Sequence, residues 1–243
     1  MKISETAKQV IETGISPIAL SFFAERGFQE DEKIILRSVL LIQSLELGTL
    51  SPLEYRFVAR RTKQGDALVE KHIQKLFSGY KYILKNHKNT ECITLPVFPR
   101  VLRENKLSAM LFDGLTKNLK INPSKICVEF SSDILFEDSQ EIKKQIDAVR
   151  GMGIKIAISE VGDDFCPLTR LSALKPDYVF ADSLDSEKLK TEEALNLVKY
   201  LKISDTKVFS PMISDQAQID LSEEMGFDGY LDPAPINIEG VGI

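Results

Sequence analysis

Apolar residues recur along this chain at two periods, and the switches between them mark its elements. Within Lys125–Leu171, Ile126, Val128 and Phe130 alternate with residues of other character, which predicts a strand leading into the polar cluster Ser131–Asp133. Ile142, Ile146 and Val149 follow at spacings of four and three, the stripe of a helix that buries one face. Gly151 and Gly153 close that helix, since glycine enters the left-handed turn beyond a helix C-terminus without steric cost. The run Ile154–Ile158 is short and nearly all apolar, as expected of a strand covered on both faces. A strand–helix–strand unit of this length predicts a right-handed crossover and a parallel pair. Glu129 and Glu160 stand at or just past the C-terminal ends of the two strands, where parallel α/β folds gather ligands and catalytic groups.

The same periods divide the rest of the chain. Residues 2–13 predict a lead-in helix closed by Gly14, 15–23 a strand, 24–33 a charged loop, and 34–42 a buried strand interrupted by Arg37 and Ser38. Residues 44–51 predict a turn, and Pro52 suits the first position of a helix with Ser51 as its N-cap. Asp66–Leu84 carries Leu68, Ile73, Leu76 and Phe77 at helical spacing; His72 beside that stripe and His87 beyond it are expected at the surface. Further strands are predicted at 92–97, 177–181, 206–211 and 228–231, with helices at about 105–119, 166–174, 187–201 and 215–225. Some eight strands separated by helices or loops argue a (β/α) barrel in one domain, with an open doubly wound sheet as the alternative.

Composition narrows the function classes. The 243 residues suit a single barrel, and 43% hydrophobic with 28% charged residues is ordinary for a globular protein. A net charge of −5 offers no basic footprint for nucleic acid, and the basic run Arg60-Arg61-Thr62-Lys63 is expected to be a solvated helix end. Cys92, Cys127 and Cys166 lie far apart without metal-ligand spacing, which predicts reduced, buried thiols. No apolar run of about 18 residues and no signal peptide opens the chain, so a cytoplasmic protein without membrane contact is expected.

The 125–171 stretch resembles the EAL family of cyclic di-GMP phosphodiesterases. Val128-Glu129-Phe130-Ser131-Ser132 stands where that family has Leu-Glu-Ile-Thr-Glu, and Gly153 through Gly162 follows its Gly-Ile-x-Ile-Ala-Leu-Asp-Asp-Phe-Gly. Pro176-Asp177-Tyr178-Val179-Phe180-Ala181-Asp182 is similar to its Pro-Asp-x-Ile-Lys-Ile-Asp. Val208 through Gln218 and Met225 through Pro233 follow its later motifs, and Gly48 through Tyr55 its Gly-x-Ile-Ser-Pro-x-Glu-Phe. The resemblance covers about 34–235 and leaves 1–30 weakly matched. It implies an EAL-type, TIM-like (β/α)8 barrel of the α/β class, with 1–243 as a single domain.

The family binds two divalent metals through carboxylates and an Asn, as hard cations require, and cuts one phosphodiester. The resemblance puts Arg37 at the signature Glu, Leu41 at the phosphate-gripping Arg, Pro96 at the Asn, and keeps Glu129 as the first Glu. Ser132 takes the second Glu, Ser159-Glu160 the Asp pair, Phe180 the Lys, Pro211 and Ser214 the two late Glu, and Asp228 the Gln. Asp163-Asp164-Phe165 resembles the Asp-Asp-Phe motif but stands four residues late.

Glu129, Glu160 and Asp228 are expected to meet at the barrel mouth, where three oxygens could hold one weak Mg²⁺ or Ca²⁺. Arg37 is expected to project into the same place and to neutralise the remnant carboxylates in the metal's stead, with no cofactor. The implied function is an inactive, regulatory EAL-like protein acting on an unidentified protein partner. The alternatives are a non-hydrolysing cyclic di-GMP receptor and an unrelated hydrolase using Glu129 and Glu160. Relatives often dimerise around the helix at Cys166–Leu174, but the preceding loop is rewritten here as Gly162–Pro167, so a homodimer is left open.

Overall fold

The computed structural model describes residues 17–29, 32–45, 47–137, 140–162, 166–185, 187–202, 205–236 and 238. The predicted helix over 2–13 and the Asp163–Phe165 segment lie outside them. In chain order the elements are β1 (Ile18–Arg26), β2 (Ile34–Ser44), β3 (Gly48–Leu50), α1 (Pro52–Ala59), α2 (Gln64–Asn86), β4 (Thr90–Val97), α3 (Pro99–Arg103) and α4 (Leu107–Lys117). They continue with β5 (Ile126–Ser131), α5 (Gln140–Gly151), β6 (Lys155–Ser159), α6 (Leu168–Leu174), β7 (Tyr178–Phe180), α7 (Glu192–Lys202), β8 (Lys207–Met212), α8 (Gln216–Glu224) and β9 (Gly229–Leu231).

Eight of these strands close on themselves in the order β1-β9-β8-β7-β6-β5-β4-β2, with β1 returning to β2. The predicted pair β5–β6 is parallel, as are its neighbours round to β9 and the β2–β4 pair. β1 is the exception. It runs antiparallel to β2 from Ile18↔Ile42 to Glu25↔Ile35, and antiparallel to β9 through Glu25↔Leu231 and Arg26↔Tyr230. A short link joins it to β2, too short for the crossover helix that a parallel pair needs. Ala24–Arg26, predicted as loop, therefore belongs to the barrel wall. The predicted turn at 44–51 contains β3, which pairs with the end of β2.

Closure depends on a close approach. A Cβ on Gly229 would stand 2.1 Å from the Arg26 carbonyl oxygen, so only glycine lets β9 reach β1. Arg26 Nε also donates to Asp232 Oδ2 at 2.6 Å across the same seam. The predicted cap at Ser51 is present: Ser51 N–H donates to Glu54 Oε2 at 2.7 Å ahead of Pro52. Asp215 Oδ1 also caps α8, accepting from Ala217 N–H at 3.2 Å.

The period of two sorts the strand side chains into two cores. Leu36, Ile93, Leu95, Val128, Phe130, Ile156 and Ile158 face the helices. The alternating set Ile35, Cys92, Cys127, Ala157, Tyr178, Phe180 and Phe209 fills the barrel interior as a separate cluster. Below it, Glu91 Oε1 accepts from Tyr178 Oη at 2.6 Å and Lys155 Nζ at 2.8 Å, which plugs the N-terminal end with a polar knot. Cys92 and Cys127 are buried in this interior, as predicted, whereas Cys166 is half-buried. Among the described residues no helix is long and apolar enough to cross a membrane.

Candidate functional site

Above the aromatic interior, Arg37 from β2 meets three carboxyl groups, Glu25 of β1, Glu129 of β5 and Asp182 of the turn after β7. Its Nη2 donates to Glu129 Oε1 at 2.6 Å and to Asp182 Oδ2 at 2.9 Å. Nη1 donates to Asp182 Oδ1 at 2.8 Å and to Glu25 Oε1 at 3.2 Å, and Nε to Glu129 Oε2 at 3.4 Å. All five guanidinium N–H groups are thereby used. The Phe180 ring lies under the same group, with Cζ 4.4 Å from the ring centroid, so the cation is also held by a π face.

Burial shapes the charges here. The Arg37 side chain is only 14% exposed. Burial opposes its charge, yet Asp182 and Glu129 hold its proton more firmly than water does. Glu25 is fully buried, and burial pushes its carboxyl up to about 8 against the pull of Arg37, with Asp182 and Glu129 adding to the push. Its Oε2 has no hydrogen-bond partner among the described residues. Glu25 thus carries a proton near neutrality.

A second set of ion pairs crosses the rim. Helix α1 and the residue after it present Arg56 and Arg60 one turn apart. Arg56 Nη1 reaches Glu160 Oε1 at 2.7 Å, and Arg60 Nη2 reaches Glu160 Oε1 and Oε2 at 2.9 and 2.8 Å. Arg60 Nη1 also reaches Asp133 Oδ2 at 3.2 Å. Glu160 adopts a left-handed backbone, φ 59°, which costs about 1 kcal/mol or more for a residue with a Cβ and turns its carboxylate toward the two arginines. The two sets line one cleft of about 720 Å³ at the C-terminal end of the barrel. Exposed Leu53 and Met212 stand on its rim.

The structure corrects several expectations. Glu129 and Glu160 do share the cleft, but Asp228 does not. Asp228 Oδ2 accepts from Val208 N–H at 2.8 Å and Oδ1 from Lys202 Nζ at 3.1 Å, at the start of β8 and β9 and thus the opposite end of the barrel. Arg37 neutralises Glu129 as expected but not Glu160, which the α1 arginines take. Arg60 is therefore no merely solvated helix end. His72 is buried, not superficial: its Nε2 lies 2.8 Å from Ser38 Oγ, whose own proton goes to the Thr94 carbonyl, so Nε2 donates. Without a charged partner, burial pulls that imidazole down to about 3.

The other positions singled out by sequence are placed as follows. Pro96 lines the cleft on β4. Ser132 Oγ donates to the Glu160 carbonyl at 3.1 Å and Ser159 Oγ to the Phe130 carbonyl at 3.4 Å. Pro211 is buried in β8 and Ser214 is exposed beyond it. Glu25 and Asp182 escaped sequence reasoning, the first because its stretch looked like loop. Asp182 closes the Pro176–Asp182 motif and was legible there as a strand-end carboxylate. Among the described residues no group of three His, Cys, Asp or Glu is arranged to hold a metal ion.

The family model described as the EAL domain matches residues 30–231. The chain belongs to the EAL domain family. No curated protein matches it by sequence. Among solved structures, the cAMP-bound form of the EAL enzyme Bd1971 is similar at TM-score 0.80 and 14% identity, over 96% of this chain and 67% of that one. The PaMucR phosphodiesterase in complex with c-di-GMP is similar at TM-score 0.76 and 13% identity, over 97% of this chain and 98% of that one. The FimX EAL domain from Pseudomonas aeruginosa bound to c-di-GMP is similar at 0.74 and 16%, over 97% and 96% of the two chains. At these identities the likeness shows a shared fold, the EAL barrel.

Proposed function

We propose that this EAL domain does not hydrolyse cyclic di-GMP and acts as a regulatory, protein-binding member of cyclic di-GMP signalling. The observation that carries the reading is the Arg37 guanidinium, bonded five times to Glu129, Asp182 and Glu25 at the position where the family resemblance puts the signature Glu. A pair of divalent metals does not fit this donor set. Both Glu129 oxygens and both Asp182 oxygens accept from Arg37, Glu160 is held by Arg56 and Arg60, and Pro96 and Phe180 offer no side-chain oxygen.

The substitutions also agree with one another. Phe180, at the family's Lys position, supports Arg37 through its ring, whereas a lysine there would repel it. Purified protein assayed for cyclic di-GMP hydrolysis with Mg²⁺ and with Mn²⁺ is expected to show no turnover; clear turnover abolished by Glu129→Gln would end this reading.

Binding of cyclic di-GMP without hydrolysis is the second reading, and the size of the cleft favours it. Charge weighs against it. The cleft lining carries Arg37, Arg56 and Arg60 against Glu129, Asp133, Glu160 and Asp182, which leaves no cationic surplus for two phosphates.

A further inference from the structure

The same cleft has three features that the proposed function does not use. Its charged lining has an acidic surplus, three arginines against four carboxylates. Its rim is apolar where Leu53 and Met212 stand 78% and 50% exposed, both lining the opening. Its wall contains Ser131, 8% exposed, whose Oγ has no hydrogen-bond partner among the described residues. A buried hydroxyl without a partner costs about 1–3 kcal/mol, so the fold keeps an acceptor at this wall at some expense.

We infer that the mouth cleft is a docking site for a basic segment of a partner protein, one that inserts a lysine or arginine between apolar side chains. This rests on the non-hydrolytic reading and specifies the partner's chemistry. The sign of the charge selects a cation, and the Ser131 hydroxyl and the Asp133 carboxylate, 54% exposed and bonded to Arg60 through Oδ2, supply acceptors for its N–H groups. Leu53 and Met212 can cover the methylene stem and the flanking apolar residues. An anionic segment would meet the surplus carboxylates and could bind Arg56 or Arg60 only by displacing Glu160. A neutral apolar segment would leave the charged floor unmatched.

The test uses the full chain and three amidated, acetylated hexapeptides in titration calorimetry: one alternating leucines with two lysines, a twin with glutamates for the lysines, and a twin with serines. The lysine peptide is expected to bind at least about tenfold tighter than either twin, and to weaken as salt rises past the point where the screening length is about 8 Å. Met212→Lys and Asp133→Asn, both at exposed positions on or beside the cleft, are each expected to weaken it about five- to tenfold, as a change of one unit charge nearby dictates. Phe112→Lys, exposed on α4 away from the cleft, is expected to change nothing.

Equal binding of the glutamate twin, equal loss in all three variants, no heat from the lysine peptide, or its displacement by cyclic di-GMP would each overturn the inference. Hydrolysis measured on the same preparation separates the two readings. Turnover removes both, whereas unselective binding without turnover removes only this one.

Discussion

Replacing Arg37 by alanine removes one cation from among three carboxyl groups, and its cost can be worked from their burial. Glu25 is fully buried, Glu129 is 6% exposed and Asp182 23% exposed, so none of the three can recover its solvation. Breaking a buried pair by deleting one partner costs about 3–5 kcal/mol. For a domain of this length that lowers the melting midpoint by about 6–20 °C. The loss should depend on pH, with a definite sign. Without the guanidinium, no cation offsets the lost solvation of these buried groups when they ionise, so the folded form is penalised increasingly as pH climbs. The difference between Arg37→Ala and the parent is therefore widest near pH 8 and narrows toward pH 4, as followed by urea unfolding. If Arg37 stands in for a metal, the vacated space should accept one, so Mn²⁺ should raise the midpoint of the variant and leave the parent unmoved. A loss below about 1 kcal/mol, a loss independent of pH, or an equal gain from Mn²⁺ in the parent would refute the reasoning.

Three further outcomes follow from the same structure. Glu25, pushed from 4.5 to about 8, weakens the fold as pH rises through that window, so Glu25→Gln should flatten the stability curve there and exceed the parent above about pH 8 in urea titrations. Glu91 has the opposite sign: burial pushes its carboxyl up, but hydrogen bonds from Lys155 and Tyr178 and the charges of Lys155 and Lys207 hold it at about 2. Its contribution is present above pH 4.5 and lost as pH falls toward 2, so Glu91→Gln should cost about 1–2 kcal/mol at neutral pH and nothing in strong acid. Gly229→Ala should cost about 3 kcal/mol in guanidinium unfolding, because its Cβ meets the Arg26 carbonyl at 2.1 Å on the seam that closes the barrel.

Much of the barrel was legible because strand and helix periods are local. The alternation of Ile126 to Phe130, the apolar run Ile154 to Ile158 and the helical stripe and glycines between them sufficed to declare a parallel pair. β1 was less legible: Ala24-Glu25-Arg26 carries charge in a short stretch and looks like loop, and only its pairing with β9 makes it wall. His72 failed for a related reason. It lies beside the apolar stripe of α2, and burial there depends on Ser38 of β2 supplying a hydrogen-bond partner, which the α2 sequence does not contain.

Asp228 marks the limit of motif matching. Its place in the chain follows the family's final motif, yet its carboxylate folds back onto the Val208 amide at the end of the barrel opposite the cleft. The sequence by itself determined the barrel and the chemical character of its mouth, since side-chain alternation along each strand and the residue type at each position are properties of short stretches. The tertiary structure decided which charges meet. Arg37, Glu129 and Glu25 come from three different strands and Asp182 from the turn after a fourth, and Arg56 and Arg60 reach Glu160 from across the cleft. Those pairings depend on the stagger of strands around a closed barrel, a quantity that no single segment carries.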